Sequence, residues 1–350
     1  MITNLILKIL FVPLLLVLVG VLVLYYFQID NPNKIRQSHW VHDGEAIRLG
    51  GLVIYPAIFI SISFSNPLST SLLLPLMLAS LPLYINGIFE DLHFQTRPIL
   101  RLLVSNTSAA LAVAISQIWI TEVGIPFIDY AFEWPVFAII FTILLTGALP
   151  HGFNLIDGLH GLSAGTALIA SAGMAVLLFE SGDNVIALEV TIFCSVLFAF
   201  FVINVTTGRL FLGDSGAYLV GFLVAWLSVV ILHLDTEISP WCFVLLSVYP
   251  ISDLISTCVR RFVNKKPLLA PDQLHIHSLL RLLLLNVFRL TSYKANVYSS
   301  FMLLSIAIFA ALVAVNNKTS GFICGSSFVI LLALHILIQK ICEFHVQNKF

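Results

Sequence analysis

The chain has 350 residues, of which 59% are hydrophobic and only 10% are charged, with a mean hydropathy of +1.02. Soluble globular domains carry about 25% charged residues, so seventeen Lys/Arg and eighteen Asp/Glu are too few for a water-exposed surface of this length. The composition excludes a disordered chain and a secreted disulfide scaffold, and the net charge of −1 excludes nucleic acid as a bulk partner. The sequence therefore predicts a polytopic membrane protein.

Eleven apolar runs approach the roughly 20 residues that a helix needs to cross a bilayer. They predict an all-α membrane bundle of about 11 transmembrane helices, with residues 1–350 forming a single integral membrane domain. The first run is longer than a signal-peptide core and no small-residue cleavage site follows it, so we expect a retained span. The runs lie around residues 5–27, 50–65, 69–88, 99–119, 135–151, 162–179, 185–205, 216–233, 240–258, 295–315 and 321–341.

Basic residues concentrate in alternate loops between these runs, with fifteen of the 17 Lys and Arg on one side. Short cytoplasmic loops are enriched in Lys and Arg, so we expect that side to be cytoplasmic, with the N-terminus outside and the C-terminus inside. The catalytic loops expected at this face cover about residues 28–50, 88–99, 151–162, 205–216 and 259–295.

Glu90 and Asp91 are adjacent where the third run meets the cytoplasmic side. Acidic groups at membrane depth are costly, which makes them candidates for a function. Two neighbouring carboxylates favour binding a divalent cation or a proton. An acidic cap paired with Arg97 or Arg101 explains the same spacing equally well.

The segment GFNLIDGLHGLSAG carries Asn154, Asp157 and His160 at three-residue intervals. If the segment is helical, this spacing places the three side chains on one face. Its glycines allow a ligand or a neighbouring helix to approach the backbone closely. The alternative is a polar helix break between two spans, and His160 alone is more typical of a hydrogen-bonded interfacial histidine.

The segment RLFLGDSGAYLVG places Asp214 in a glycine-rich turn before the eighth span. A carboxylate at the start of a helix lies where phosphate groups and hard cations are held. The alternative is that Asp214 or Ser215 is the N-cap of the span. Capping by one of the two residues is compatible with metal binding by the other.

The longest polar loop, residues 260–294, contains the sequence PDQLHIH and seven basic residues. Arg260, Arg261, His275 and His277 suit a phosphate-rich ligand. Contact with anionic lipid explains the lysines of the loop but not the histidine pair. Two spaced histidines without a cysteine disfavour a zinc site.

Together these segments, over about residues 30 to 280, resemble the polyprenyl-phosphate N-acetylhexosamine-1-phosphate transferases of glycosyltransferase family 4. DNPNKIRQSHW followed by RLGG resembles the first cytoplasmic loop of that family, and FED near residue 90 resembles its acidic pair. NLIDGLHGL resembles the NxxDGxxGL segment, FLGDSG the GDxG turn and PDQLHIHS the DRxHxHH loop. The undecaprenyl-phosphate GlcNAc-1-phosphate transferases and O-antigen-initiating enzymes are the branch that fits best, because the three consecutive histidines of the MurNAc-pentapeptide branch are absent.

Three positions depart from the family pattern. Glu90 replaces the first Asp of the acidic pair, His160 stands where Asp or Asn is usual, and Ser278 replaces the second His of the HxHH run. The roles at positions 160 and 278 are therefore open.

The resemblance implies an Mg²⁺-dependent phosphotransferase, with Mn²⁺ as an alternative metal, at the cytoplasmic face of a bacterial inner membrane. It would transfer N-acetylhexosamine-1-phosphate from a UDP-sugar to undecaprenyl phosphate, release UMP and start a cell-surface polysaccharide, and it is compatible with a homodimer. By resemblance, Asp214 and Asn154 are expected to bind the metal, and Glu90, Asp91, Asp157 and Asp214 to serve catalysis. The residues expected to contact the substrates are Asn154, His160, Arg260, Arg261, His275 and His277.

An ion-coupled secondary transporter is the alternative, because intramembrane carboxylates can couple to ions. Transporter sites usually lie near the bilayer midplane between internal repeats. Here the acids gather at the cytoplasmic ends of spans, and the sequence has no evident repeat. Asp253, within the ninth run, is the exception, and it could anchor the basic loop through Arg260 or Arg261.

Overall fold

A computed structural model of the chain describes residues 7–29, 47–65, 72–94, 96–267 and 274–347. This part of the chain contains fourteen α-helices and a short π-helix, Leu7–Phe11, without a β-strand, which confirms the all-α prediction. The helices are α1 (Val12–Ile29), α2 (Gly51–Ser65), α3 (Leu73–Asp91), α4 (Pro98–Ser116), α5 (Pro126–Phe132), α6 (Pro135–Leu155), α7 (Leu162–Ser181), α8 (Asn184–Thr207), α9 (Gly213–Leu234), α10 (Pro240–Leu246), α11 (Val248–Val263), α12 (Ile276–Asn286), α13 (Ser292–Asn316) and α14 (Gly321–Gln347).

Nine helices in the described ranges are long and apolar enough to cross a membrane, or ten if the bent pair α10–α11 is one span. Two of the eleven predicted spans therefore differ from a straight transmembrane helix. Helix α2 has 15 residues, about 22 Å at 1.5 Å per residue, which is less than the bilayer core. The run 240–258 divides between α10 and α11, which meet at 83°. Pro250, in the first turn of α11, has no N–H to continue the hydrogen bonding of α10.

Helix α9 lies at the centre of the bundle, where it packs against α2, α3, α6 and α7. Its buried side chains are mostly apolar, and several of them are small, so that neighbouring helices can pack closely against it. A side chain at Gly87 of α3 would overlap the backbone of Ser215, and one at Gly221 would approach Pro150 of α6 to 2.7 Å. The two glycines thus allow α3 and α6 to approach α9 closely, which fixes where the ends of these three helices meet.

Large apolar side chains cover the outside of the bundle, as in Leu22 of α1, Phe309 of α13 and Ile330 of α14, all of them exposed. An apolar exterior around an ordered interior is the arrangement expected of a protein surrounded by lipid. The structure therefore agrees with a multi-pass membrane protein.

Helix α8, the seventh predicted span, contains a buried acid that the apolar pattern conceals. Glu189 is fully buried, and its carboxylate accepts the backbone N–H groups of Leu72 and Leu73, each at 3.0 Å. These N–H groups belong to the start of α3, where a helix has no internal acceptors. Glu189 therefore has a helix-capping contact that accounts for a carboxylate inside the bundle.

Candidate active site

The loop before α9 pairs with the segment before α2. The Ile47 N–H donates to the Arg209 carbonyl at 2.7 Å, and the Gly51 N–H donates to the Leu212 carbonyl at 2.9 Å. Between these two hydrogen bonds lies Arg48, which is thereby placed at the start of α9. The motif RLGG and the GDxG-like turn, distant in sequence, are therefore neighbours in the fold. The rest of the first loop, residues 30–46 including DNPNKIRQSHW, lies outside the described residues.

Asp91, the last residue of α3, caps the first turn of α9. One carboxylate oxygen accepts the Asp214 N–H at 2.7 Å, and the other accepts the Ser215 N–H at 3.0 Å together with the Ser215 hydroxyl. The N-cap position itself belongs to Leu212, which has no capping side chain. The proposed capping by Asp214 or Ser215 is therefore wrong: a carboxylate from another helix provides the acceptors, and the Asp214 side chain is left for other contacts.

Asp157 supports the same turn from the other side. Its carboxylate accepts the N–H of Gly213 at 3.1 Å. Gly213 has φ +71°, and a side chain there would overlap the carbonyl of Arg48, so the turn requires glycine. Burial raises the pKa of Asp157 to about 8, although the nearby Arg48 guanidinium acts to lower it.

Asp214 lies at the centre of this group with its side chain partly accessible. Its Oδ1 accepts a hydrogen bond from the side-chain amide of Asn154 at 2.7 Å and lies 3.5 Å from the Arg48 guanidinium. The side chains of Asp214 and Arg48 are 20% and 43% exposed. Both side-chain contacts that Asp214 makes within the described ranges fall on Oδ1, so Oδ2 has no protein partner there. We name Arg48, Asp91, Asn154, Asp157 and Asp214 the carboxylate cluster.

Glu90 points in a different direction from Asp91, because consecutive helical residues lie about 100° apart. It is buried and accepts hydrogen bonds from Asn86 at 2.8 Å and from Thr96, while Arg101 lies 3.0 Å away. The pairing with Arg101 that the sequence left open is thus present. The adjacent acids have different roles in this structure: Asp91 holds the first turn of α9, whereas Glu90 links α3 to the start of α4 and accepts the Tyr218 hydroxyl of α9 at 3.5 Å.

His160 lies apart from Asn154 and Asp157, although the spacing suggested a common helical face. That suggestion is wrong, because α6 ends at Leu155 and residues 156–161 form turns. The His160 ring packs 5.1 Å from the Phe211 ring and 5.8 Å from the Tyr293 ring. Burial, with a smaller effect of Arg281, lowers the pKa of His160 to about 4. A neutral, packed imidazole matches the alternative of a structural histidine.

His275 and His277 lie at the start of α12 and are both buried. A side chain at Gly158 would lie 2.9 Å from Nε2 of His277, so this ring borders the loop that carries Asp157. Arg260 and Arg261 end α11 and are partly buried, and none of their described contacts reaches the carboxylate cluster. Residues 268–273, with the PDQ of the motif, lie outside the described residues.

Arg48 and Gly87 contribute to the site, but the sequence analysis did not assign them to it. Arg48 was only a basic loop residue and part of RLGG, yet it lies 3.5 Å from Asp214 and close enough to Asp91 and Asp157 for favourable electrostatic interaction with both. Gly87 stood next to the acidic pair in NGIFED, and it is the position at which α3 contacts the backbone of α9. Two patterns could have identified these residues. Arg48 is a basic residue between two apolar runs, and Gly87 is a glycine one helical turn before an acid.

The donor atoms available at the carboxylate cluster fit a hard divalent cation. In the described ranges no three His, Cys, Asp or Glu side chains form a complete metal-binding group. Asp91 and Asp157 direct oxygens at the N–H groups of α9, whereas Asp214 has a partner-free Oδ2 beside the Asn154 amide. One carboxylate and one amide oxygen, with waters and substrate phosphates, are the ligands that Mg²⁺ commonly takes.

The chain is similar to known proteins over most of its length. The model of the family described as "Glycosyl transferase family 4" matches residues 73–232. A probable undecaprenyl-phosphate N-acetylglucosaminyl 1-phosphate transferase of Bacillus subtilis is 27% identical over 251 residues, 71% of this chain and 68% of that protein. The undecaprenyl-phosphate alpha-N-acetylglucosaminyl 1-phosphate transferases of Yersinia pestis and Escherichia coli K12 are 24% and 23% identical over 257 residues, 72% of this chain and 69% and 68% of theirs. The matched range 73–232 contains Asp91, Asn154, Asp157 and Asp214.

Proposed function

Because the chain belongs to glycosyl transferase family 4, we propose that it transfers N-acetylhexosamine-1-phosphate from a UDP-sugar to undecaprenyl phosphate. An oxygen of the lipid phosphate attacks the phosphorus that carries the sugar, the bond from this phosphorus to UMP breaks, and UMP leaves. The product, an undecaprenyl-diphospho-sugar, would be the first lipid-linked intermediate of a cell-surface polysaccharide such as an O-antigen. The relatives named above act on undecaprenyl phosphate according to their names, which supports the lipid substrate.

The convergence of the carboxylate cluster at one end of the bundle is the observation that carries this proposal. Asp91 ends α3, Asn154 lies in the last turn of α6, and Asp214 lies in the first turn of α9. All three helices are long and apolar enough to span a membrane. A site at the ends of spans is where a lipid phosphate can meet a water-soluble nucleotide.

The lipid phosphate needs little activation at this site. A phosphate monoester has a second pKa of about 6, so near neutral pH it is mostly ionised and no strong general base is required. The main barrier is then the approach of two anions. Arg48 supplies a fixed positive charge there, and its partly exposed guanidinium suits contact with phosphate oxygens.

We place Mg²⁺ at Asp214 and Asn154, whose oxygens would be the protein ligands. When bound, the ion would neutralise phosphate charge and favour departure of UMP. Asp91 and Asp157 hold the turn that carries Asp214, so their role in the proposal is to fix the position of that ligand. A direct contact of Asp91 or Glu90 with the lipid phosphate stays a prediction, as do the contacts of His275, His277, Arg260 and Arg261 with diphosphate and sugar.

The proposal includes the orientation of the chain in a bacterial inner membrane, with the carboxylate cluster at the cytoplasmic face. UDP-sugars are cytoplasmic substrates, and the Lys/Arg distribution supports the same side for these loops. Substituted-cysteine labelling of the loops from both sides of sealed vesicles tests the orientation. Labelling at the Arg209 loop from outside would contradict it.

The direct test of the reaction uses purified protein, undecaprenyl phosphate, Mg²⁺ and a panel of UDP-N-acetylhexosamines. We expect UMP release that needs both the lipid and the metal, with one preferred donor. UMP release without the lipid would indicate a hydrolase, and absence of release with every donor would contradict the transfer.

A further inference from the structure

The last helix, α14, carries buried polar residues that the proposed reaction does not account for. Most of α14 is exposed, but His335 and Gln339, four residues apart on one helix face, are buried. Polar side chains inside an apolar membrane helix are costly unless they have partners. Nε2 of His335 lies 3.7 Å from the Asp253 carboxylate of α11, so this face of α14 is turned towards α11 and the loop before α12.

Gln339 joins three parts of the chain through its side-chain amide. Its Nε2 donates to the backbone carbonyl of Leu274, and its Oε1 accepts the Ser256 hydroxyl of α11 at 3.1 Å. The Leu274 carbonyl lies immediately before His275, the N-cap residue of α12. The last helix therefore holds the backbone at the point where α12 begins.

The start of α12 is also held by α11, through two side chains. Asp253 is fully buried, and its carboxylate is 2.8 Å from Nδ1 of His275, so it anchors the polar loop through an imidazole. One helical turn earlier, the Tyr249 hydroxyl lies 3.4 Å from Nδ1 of His277. These contacts orient the two rings, whereas Gln339 fixes the backbone in front of them.

The start of α12 borders the carboxylate cluster. A side chain at Gly158 would lie 2.9 Å from Nε2 of His277. Gly158 follows Asp157, whose carboxylate accepts the N–H of Gly213 at the start of α9. A small shift of α12 would therefore change the distance between His277 and the loop that supports this turn. Because Gln339 holds the start of α12, a residue of the last span contributes to the geometry on this side of the site.

We propose that Gln339 is a positioning residue for the transfer reaction, which fixes the start of α12 through the Leu274 carbonyl and thereby sets the position of the loop that meets the UDP-sugar. This inference rests on the proposed function, in which that loop contacts the diphosphate and the sugar. Gln339 does not itself touch the substrate. Small displacements of positioned groups have large effects on reaction rates, so we expect loss of this distant contact to affect the UDP-sugar and to spare the lipid.

Steady-state kinetics with separate titration of the two substrates distinguish positioning from general damage. Gln339→Leu removes both hydrogen bonds at similar size, and it is expected to lower kcat/KM for the UDP-sugar about 10- to 100-fold, mainly through KM. The KM for undecaprenyl phosphate should stay within about twofold. The matched control is Cys324→Ala, which removes another buried contact of α14 near its opposite end and should change neither KM. An unchanged KM for the UDP-sugar in Gln339→Leu, or an equal rise of both KM values, would overturn the inference.

Failure of this inference can be told apart from failure of the proposed function by a measurement that needs no turnover. Hydrogen–deuterium exchange of the backbone amides of α12 in the detergent-solubilised chain reports how firmly this helix is held. Gln339→Leu is expected to exchange faster there than both the wild type and Cys324→Ala, and equal rates would overturn the positioning contact. A wild-type chain that releases no UMP would contradict the transfer, and the exchange rates would then decide on the contact alone. If Gln339→Leu does not accumulate, Gln339→Asn replaces it in both measurements, since it withdraws the amide by one methylene.

Discussion

The Asp91 carboxylate accepts the backbone N–H of Asp214 at 2.7 Å, so the last residue of α3 holds the first turn of α9. This contact joins two motifs that are more than 120 residues apart in sequence. It places the charge of Asp91 at a helix N-terminus, where carboxylates are favourable, and it leaves the side chain of Asp214 facing Asn154 and Arg48.

Asp91→Ala is expected to abolish transfer and to lower stability by about 1–3 kcal/mol, because buried N–H groups of α9 lose their acceptor. Asp91→Asn keeps one acceptor oxygen and should fall between the wild type and the alanine variant in unfolding midpoint. Detergent-solubilised protein, followed by heat denaturation and by UMP release, gives both quantities. Glu133→Ala, at an exposed acid, is the control. An alanine variant with the wild-type midpoint would show that Asp91 does not hold the turn.

Gly87→Ala is expected to reduce both stability and transfer, since the new methyl group would overlap the backbone of Ser215 next to Asp214. Overpacking of this kind costs about 1–3 kcal/mol. Gly325→Ala in α14 is the matched control, because the atoms nearest to its methyl would belong to the Trp241 ring, the closest of them at 3.3 Å. Equal effects of the two substitutions on UMP release would contradict the close approach of α3 to the site.

Glu90→Gln is expected to lower stability more than it lowers the rate, because Glu90 is buried and pairs with Arg101 at 3.0 Å. Arg101 is partly exposed, so the coupling should be about 1 kcal/mol rather than that of a fully buried pair. A double-mutant cycle with Arg101→Gln on the unfolding free energy measures it. A Glu90→Gln variant with normal stability and no transfer would instead assign Glu90 to the chemistry.

Much of this site follows from the sequence, and the rest depends on tertiary packing. The motif segments identify Asp91, Asn154, Asp157 and Asp214, because acids and amides are scarce in so apolar a chain. Local periodicity could not show that Asp91 caps α9 while Glu90 pairs with Arg101 of α4, nor that His160 turns away after α6. These outcomes depend on where Leu155 ends a helix and on how α3 packs against α9, which single-segment patterns do not contain.

The number of spans is a second case in which the sequence locates the segments but tertiary packing decides their shape. Hydropathy locates all eleven apolar segments, but it cannot distinguish the 15-residue α2 or the bent pair α10–α11 from straight spans. The bend at residues 246–248 places Tyr249 and Asp253 beside the histidines of α12. Sequence spacing gave Asp253 no partner among the histidines, because the contact crosses two separate helices.

Removal of divalent metal is expected to stop UMP release, and added Mg²⁺ should restore it. Asn154→Ala should then need more Mg²⁺ for half-maximal activity than the wild type, because one of two proposed protein ligands is lost. Titration of Mg²⁺ after chelation with EDTA measures both effects, with Gly325→Ala as the control variant. Unchanged activity in excess EDTA would remove the metal from the mechanism.

The most direct test of the central claim compares wild-type protein with Asp214→Asn in one assay of lipid-dependent UMP release. Loss of a ligand worth several kcal/mol of transition-state stabilisation corresponds to a rate lower by at least about 100-fold. Asp91 accepts the backbone N–H of residue 214, which the substitution does not change, and asparagine keeps a side-chain oxygen that can accept the Asn154 amide. The amount of protein in the membrane and its unfolding midpoint should therefore stay close to those of the wild type. We predict UMP release by the wild type and a loss of at least that size in Asp214→Asn. A folded Asp214→Asn variant with wild-type activity would contradict the assignment of the carboxylate cluster as the active site.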